Sequence, residues 1–238
     1  MRPAEPVTAG PPDAARAPGG AVAAALADVA TLGGFFALRT DAPDEGWHPV
    51  QHSYDRGFAD LSTAVTDRYR TTDQRVGVSI AQLGHAARLW SPVLACTLLH
   101  GIVPDLDALR RQDTASALGL PAPAGWYADR LPDGELAVGA QVMDHLSRLE
   151  AGLAVRIAPR LLDGNAASAL MGSAGVLLAA RPETRVPLTR LVTRLLGTGR
   201  LVGTGSVTGP GLAFRRRSCC LYYRTPAGSK CGDCCLAR

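Results

Sequence analysis

Five of the six cysteines in this chain lie between residues 219 and 235, close to the C-terminus. They are Cys219, Cys220, Cys231, Cys234 and Cys235. Thiolates clustered on a short segment are typical ligands of zinc or of an iron–sulfur cluster. Disulfide frameworks belong to oxidising compartments and small scaffolds, whereas this chain has 238 residues and can bury a core without them. The sequence therefore predicts a metal-binding loop at the C-terminus.

The spacing of these cysteines bears on which metal they would bind. Cys231 and Cys234 are separated by two residues, as in a zinc ribbon, and Gly232 between them is expected to allow a tight turn. Cys219 and Cys220 are adjacent, and adjacent side chains diverge in extended backbone, so both would reach one zinc ion only with strain. A cluster with two irons spreads four thiolate positions over two metals. The spacing favours an iron–sulfur cluster over zinc but does not decide between them.

Few other residues in the sequence indicate a catalytic or metal-binding site. Cys96 lies in an apolar helical stretch and is predicted to be a core residue. His48 and His52 are four residues apart, but Pro49 between them disrupts a helical pairing, and the five histidines form no metal-ligand pattern. The sequence has no nucleophile motif, P-loop, GxGxxG or other flavin or nicotinamide fingerprint. We therefore expect no catalytic residues beyond the cysteine ligands. We also expect electrons to arrive through another protein and not directly from a nicotinamide cofactor.

Composition and apolar periodicity predict a mainly α, α+β fold. Hydrophobic residues make up 47% of the chain and charged residues 19%, which are ordinary values for a globular protein. Apolar residues recur at helical spacing from about residues 22, 58, 76, 142, 165 and 187, and the longest stripe runs to residue 157. Asn165 is a candidate N-cap and Gly197 a helix stop. Short strands are expected around 35–39, between 115 and 127, and around 135–138.

Three parts are expected along the chain. Residues 1–20 are rich in Pro, Ala and Gly, which is typical of a disordered tail. Residues 21–210 are predicted to form a helical domain with a small β element that ends in a Gly-rich connector, and residues 211–238 to form the cysteine-rich, cluster-binding loop. No segment is a convincing membrane span or signal peptide, so a cytoplasmic protein is expected. The net charge is only +4 and the arginines are scattered, which disfavours nucleic acid as a partner.

The cysteine pattern resembles that of a known family. Two adjacent cysteines, ten residues, a third cysteine, two residues and a fourth match the C-terminal signature of ferric-siderophore reductases of the FhuF type. The resemblance implies that Cys219, Cys220, Cys231 and Cys234 hold a [2Fe–2S] cluster. It extends more loosely upstream through residues 88–105 and 164–169. Two positions depart from the family: Cys235, where proline or an aliphatic residue is commoner, and Asp163, where tryptophan is common.

The resemblance implies an oxidoreductase that reduces a ferric siderophore by one electron and releases Fe(II). The expected partners are a ferric siderophore, with hydroxamates ahead of other types, and an electron-donor protein such as a ferredoxin. The expected location is the cytoplasm, and peripheral association with the inner membrane face is compatible with the sequence. Arg217, Arg224 and Cys235 are predicted to surround the cluster, where nearby cations favour its reduced, more negative state. Two alternatives remain open: a binding module with a structural zinc held by four cysteines, and an iron–sulfur redox sensor.

Overall fold

The structure, a computed structural model, describes residues 15–209 and 211–237. Within these residues the chain forms seven α-helices and eight short strands, so the predicted mainly α, α+β fold is confirmed. The helices are α1 (Gly19–Ala30), α2 (Val50–Asp55), α3 (Ala59–Arg68), α4 (Gln74–His100), α5 (Gly134–Ala151), α6 (Pro159–Ala180) and α7 (Arg185–Leu196). The strands are β1 (Leu38–Arg39), β2 (Trp47–Pro49), β3 (Ile102–Pro104), β4 (Arg110–Gln112), β5 (Leu118–Gly119), β6 (Gly125–Tyr127), β7 (Gly205–Val207) and β8 (Phe214–Arg216).

Helix α4 is the centre of the core. Its 27 residues begin after Asp73, whose carboxylate accepts a hydrogen bond of 3.1 Å from the Arg75 backbone N–H and so caps the helix. The helix ends at Gly101, which adopts the left-handed conformation (φ 64°) that glycine tolerates best. Trp90 and Leu94 of α4 are fully buried, and α6 makes the most extensive contact with this helix. Together α4 and α6 form the scaffold on which the C-terminal segment packs.

The strands form three small sheets around this helical core. The largest has the order β1-β5-β4-β2, in which β1 and β5 are parallel and the other pairs antiparallel. Strands β3 and β6 pair with each other, and β7 pairs with β8 in an antiparallel register that sets Gly205 opposite Arg216. Along β8, Phe214 and Arg216 are buried while Arg215 is exposed, as expected from the period-two alternation of a strand. The last sheet therefore leads the chain into the cysteine segment with Arg216 facing inward.

A polar cluster joins three helices inside the core. The Tyr54 hydroxyl of α2 lies 2.8 Å from His85 Nε2 on α4 and 2.9 Å from His145 Nδ1 on α5. Burial lowers the pKa of His85 well below its usual value, and burial followed by the charge of Arg148 lowers the pKa of His145 to about 4. Both imidazoles are therefore neutral at physiological pH, and they act as hydrogen-bond partners of Tyr54.

Three details differ from the sequence expectations. Helix α5 ends at Ala151 and does not continue to residue 157, because Gly152 packs against the Tyr54 carbonyl, which would lie 1.9 Å from a Cβ at that position. Helix α6 begins with Pro159 in its first turn, so Asn165 lies inside the helix and its prediction as an N-cap is wrong. The strand expected around 135–138 is also wrong, since those residues belong to α5.

The structure also describes part of the chain at each expected end of the helical domain. Most of the tail expected over residues 1–20 lies outside the described residues. The part that is described packs on the domain: Ala15 and Ala17 are buried, the Ala17 N–H donates to the Gly125 carbonyl at 2.9 Å, and α1 already begins at Gly19. At the other end, the Gly-rich connector over 197–211 contains β7 and a 3-10 turn at Gly199–Leu201.

Helix α6 is the one described helix whose length and composition would allow it to cross a membrane. In this structure, 72% of its most apolar 18-residue window is buried inside the protein. Leu170 and Leu177 are fully buried among the core residues. The apolar residues of α6 are therefore explained by its position in the core of the protein.

Candidate metal centre

The C-terminal cysteines lie on a loop that follows β8. Cys220 and Cys234 are buried, while Cys219 and Cys231 are half-buried. The Cys220 and Cys231 sulfurs are 3.5 Å apart. Two thiolates at about 2.3 Å from one tetrahedral metal ion are separated by about 3.8 Å, so this pair is spaced to share a metal. Within residues 15–209 and 211–237, no three His, Cys, Asp or Glu side chains converge on the position of a single ion.

The backbone of the loop already supports the sulfurs. The Leu221 N–H donates to Cys219 Sγ at 3.3 Å, and the Leu236 N–H donates to Cys234 Sγ at the same distance. The turn between Cys231 and Cys234 is closed by a hydrogen bond of 3.1 Å from the Cys234 N–H to the Cys231 carbonyl. The expected tight turn is therefore present, although Gly232 has neither a positive φ nor a close neighbour that would exclude another residue. The N–H groups aimed at sulfur are typical of sites that stabilise thiolates.

The thiols themselves show why a metal is needed. Burial raises the pKa of Cys219, and the charges of Cys220, Cys235 and Cys234 raise it further. Burial also raises the pKa of Cys231, together with the charge of Cys220 and with hydrogen bonds to Cys220 and Asp233. Crowded thiolates repel each other, and a bound metal cation is what would keep several of them ionised at neutral pH. The donor set therefore suits a positively charged metal centre.

A buried arginine at the base of the loop supports the same conclusion. Arg216 is only 1% exposed, and its Nη2 donates to Asn165 Oδ1 at 2.6 Å. Its Nε and Nη1 are buried and have no hydrogen-bond partner, and no described carboxylate forms an ion pair with it. A buried charge without a counter-charge is costly. A four-thiolate [2Fe–2S] cluster is an anion and would provide that counter-charge, so the residues present fit this group.

A chain of hydrogen bonds ties the loop to both core helices. Asn165 on α6 donates from Nδ2 to the Ser79 carbonyl at 2.9 Å and lies 3.1 Å from Ser79 Oγ. Ser79 on α4 donates from Oγ to the Cys220 carbonyl at 2.8 Å. Arg216, Asn165 and Ser79 are all buried. The position of Cys220 is therefore set by two helices that lie far away in the sequence.

The residues predicted to surround the cluster have different environments. Arg224 forms an ion pair of 2.8 Å with Asp73, the N-cap of α4, so it anchors the loop to the domain. Arg217 is exposed, and its guanidinium reaches the Gly203 carbonyl at 3.5 Å. Cys235 is half-buried and within electrostatic range of Cys219, and its role beside the cluster stays a prediction. The sequence did not predict that Asn165 and Ser79 support the loop. The burial of Arg216 agrees with the inward position that strand alternation over 214–216 indicates.

Two cavities adjoin the cysteine loop. The first, here called the glycine groove, has a volume of about 540 Å³ and is lined by Gly172 and Gly175 of α6 and by Arg215, Asp233 and Cys234. The second, here called the arginine pocket, has a volume of about 440 Å³. It is lined by residues from α6, the connector and the start of the loop: Arg160, Asp163, Arg200, Val202, Gly203, Thr204, Arg217 and Ser218. In this pocket Asp163, the position at which the family commonly has tryptophan, pairs with Arg200 at 2.7 Å.

Comparison with known proteins identifies the loop. Residues 216–236 match the family model of the FhuF 2Fe-2S C-terminal domain. No curated protein and no solved structure matches the chain. The four cysteines of the motif and the buried Arg216 all fall within the matched residues, and the match indicates a [2Fe–2S] cluster. The C-terminal segment thus resembles the 2Fe-2S domain of FhuF-type proteins, which indicates an iron–sulfur protein with a siderophore-related role.

Proposed function

We propose that this protein is a ferric-siderophore reductase that transfers one electron to a chelated Fe(III) and so releases Fe(II). The observation that carries the proposal is the match of residues 216–236 to the FhuF 2Fe-2S domain, on a loop that is open to two cavities. When bound, the cluster supplies a one-electron donor. Fe(II) is a softer ion than Fe(III), and the hard oxygen donors of siderophores hold it less tightly.

The glycine groove is the proposed site of the ferric chelate. It is the cavity lined by Cys234, and its volume of about 540 Å³ lies in the usual range for small-molecule sites. Its charged lining residues, Arg215 and Asp233, have opposite charges. A ferric ion with three hydroxamates is electrically neutral, whereas a ferric tris-catecholate carries three negative charges. A groove with balanced charge supports a hydroxamate as the substrate.

The arginine pocket is the proposed docking point for the electron donor. Arg160, Arg200 and Arg217 line it against a single aspartate, and Ser218 connects it directly to Cys219. A positive surface beside a redox centre attracts an acidic partner and raises its association rate. A ferredoxin-like donor in the cytoplasm has the required chemistry. With a donor on one side of the loop and the chelate on the other, the two partners could bind at the same time.

The test begins with anaerobic purification, followed by assay of iron, sulfide and zinc. We expect a reddish-brown protein with two irons and two sulfides per chain, which after reduction with dithionite converts a ferric trishydroxamate to Fe(II). Because the loop offers few substitutes for a lost thiolate, Cys219→Ser, Cys220→Ser, Cys231→Ser and Cys234→Ser should each abolish or strongly weaken the chromophore. Cys96→Ser is the control, since Cys96 is buried in α4 and burial raises its pKa to about 12.

Two results would contradict this function. A colourless protein that contains zinc would support the alternative of a structural four-cysteine zinc site. A coloured protein whose reduced cluster is not reoxidised by the ferric chelate would support a redox sensor.

A further inference from the structure

A third cavity, of about 530 Å³, lies beside α2 and the β2–β4 pair, and none of its lining residues is a cysteine. Its polar lining includes His48, Ser53, Arg56, Arg111 and Asp113. The function proposed above uses none of these residues. Their arrangement is that of a nucleophile, a base and an orienting acid.

We propose that Ser53, His48 and Asp113 form a hydrolytic triad that cleaves carboxylic esters. His48 Nδ1 lies 2.6 Å from Asp113 Oδ1, and His48 Nε2 lies 2.7 Å from Ser53 Oγ. A carboxylate at Nδ1 fixes the proton there, so Nε2 presents its lone pair to the serine hydroxyl. This is the order of contacts by which a Ser-His-Asp triad activates serine.

Three elements bring these residues together. His48 on β2 is directly paired with Arg111 on β4, and Asp113 follows the end of β4. Ser53 lies on α2, which begins immediately after β2. The sequence separation of 65 residues between His48 and Asp113 explains why no local motif predicted the arrangement.

Arg111 adds a positive charge at the nucleophile. Its side chain is 4% exposed, is paired with Asp60, and donates from Nε to Ser53 Oγ at 2.7 Å. The serine oxygen thus donates to His48 and accepts one hydrogen bond, which leaves its second lone pair for attack on a carbonyl carbon. Ser53 is only 2% exposed, so a substrate would reach this oxygen through the cavity that Ser53 lines. A guanidinium hydrogen bond favours the developing alkoxide. In this scheme Arg111 acts directly on the nucleophilic oxygen of Ser53.

A stabilising role alone does not explain the dyad of His48 and Asp113. The Asp113 side chain is 52% exposed, and ion pairs at that exposure contribute little to stability. Arg56 lines the same cavity and forms no ion pair among the described residues, so its charge is available to an oxyanion. Arg56 and Ala59 also line a neighbouring cavity of about 520 Å³ that is rich in threonine, which gives room for a larger substrate.

The reaction would proceed in two steps. Ser53 Oγ bonds to the ester carbonyl carbon while its proton moves to His48 Nε2, and the carbon–oxygen bond to the alcohol breaks as His48 returns the proton to the leaving oxygen. Water then attacks the acylated serine, again with His48 accepting a proton and returning it to Ser53, and the carboxylic acid leaves.

The test uses the full-length, cluster-loaded protein with diisopropyl fluorophosphate and with p-nitrophenyl butyrate. The triad predicts phosphorylation of Ser53, which lies on the tryptic peptide of residues 40–56 and is the only serine in it. Asp113→Asn should lower kcat/KM for the ester by at least about 100-fold and slow the labelling to a similar degree, because the wrong histidine tautomer is favoured. Ser53→Ala should remove both labelling and turnover.

The matched control is Asp44→Asn. Asp44 is an exposed aspartate that pairs with Arg110, the residue next to Arg111 on β4. It should leave labelling and turnover unchanged. Failure to label Ser53, or labelling and turnover that survive Asp113→Asn, would overturn the triad. Because Asp113 is half-exposed, its variant is expected to fold even if Ser53→Ala does not. None of these readouts depends on reduction of a ferric chelate.

Discussion

Arg216 lies three residues before the first cysteine of the loop, and its buried guanidinium has no carboxylate partner among the described residues. Reduction adds one negative charge to the cluster, and a nearby cation stabilises that state. Arg216→Gln should therefore lower the midpoint potential by tens of millivolts, an effect expected for loss of one charge from a low-dielectric site. Glutamine can still donate to Asn165.

Arg217→Gln is the matched control for this prediction. Arg217 is exposed, so solvent and salt screen its charge, and its removal should shift the potential much less. Both variants are compared by spectroelectrochemical titration at fixed ionic strength. An equal shift in the two variants, or a higher potential in Arg216→Gln, would show that Arg216 does not compensate the charge of the cluster.

Some residues of the candidate site could be predicted from the sequence, and others could not. The cysteine motif could be recognised from the sequence because it is local, and residues 216–236, which contain it, match the FhuF 2Fe-2S C-terminal domain. Strand alternation separates Arg216 from Arg215 once β8 is known, but the contact of Arg216 with Asn165 joins residues 51 positions apart and could not be predicted from the sequence. The contact of His48 with Asp113 arises only from the pairing of β2 with β4, so no local pattern in the sequence could predict it.

At the scale of elements, helix α6 both packs in the hydrophobic core and lines the glycine groove. A Cβ at Gly172 would have no atom within 4 Å, whereas a Cβ at Gly164 would lie 1.9 Å from Ser218 Oγ. The two glycines therefore have different roles: Gly164 allows the loop to approach the helix, and Gly172 leaves the groove open. The sequence predicted the helix but not this difference, which depends on what packs against each glycine.

Gly172→Leu should stabilise the helix by about 1 kcal/mol and fill the groove beside Cys234. The cluster spectrum should be unchanged, while kcat/KM for the ferric trishydroxamate should fall by about tenfold or more. Gly20→Leu on α1 is the control, since it also has open space at its Cβ and does not line the groove. Unchanged chelate reduction in a filled groove would mean that the substrate binds elsewhere.

At the scale of the whole molecule, the Tyr54–His85–His145 cluster makes global stability depend on pH. In the unfolded chain His145 binds a proton below about pH 6.5, whereas in the folded protein burial lowers its pKa to about 4. Protons therefore favour the unfolded state, and the stability present above pH 6.5 is lost as the pH falls toward 4. The loss from His145 is on the order of 3 kcal/mol, and His85, whose pKa is also lowered by burial, adds to it.

The measurement is the free energy of unfolding from urea titrations between pH 7 and pH 4. His145→Gln, which can still form a hydrogen bond with Tyr54, should flatten this dependence relative to the wild type. The exposed pair of Asp44 and Arg110 provides a control through Asp44→Asn, which should keep the wild-type slope. A slope that is the same in all three proteins would contradict the assignment of His145 as a buried neutral group.

The hydrogen bond from Ser79 to the Cys220 carbonyl has a consequence for the maturation of the protein. It joins residues 141 positions apart, so the loop can take this shape only after α4 has formed. Asn165 and Arg216 add the same requirement for α6. We therefore expect helical packing to precede cofactor insertion, so that the newly made chain would present a folded, metal-free acceptor to the cellular machinery that delivers iron and sulfide.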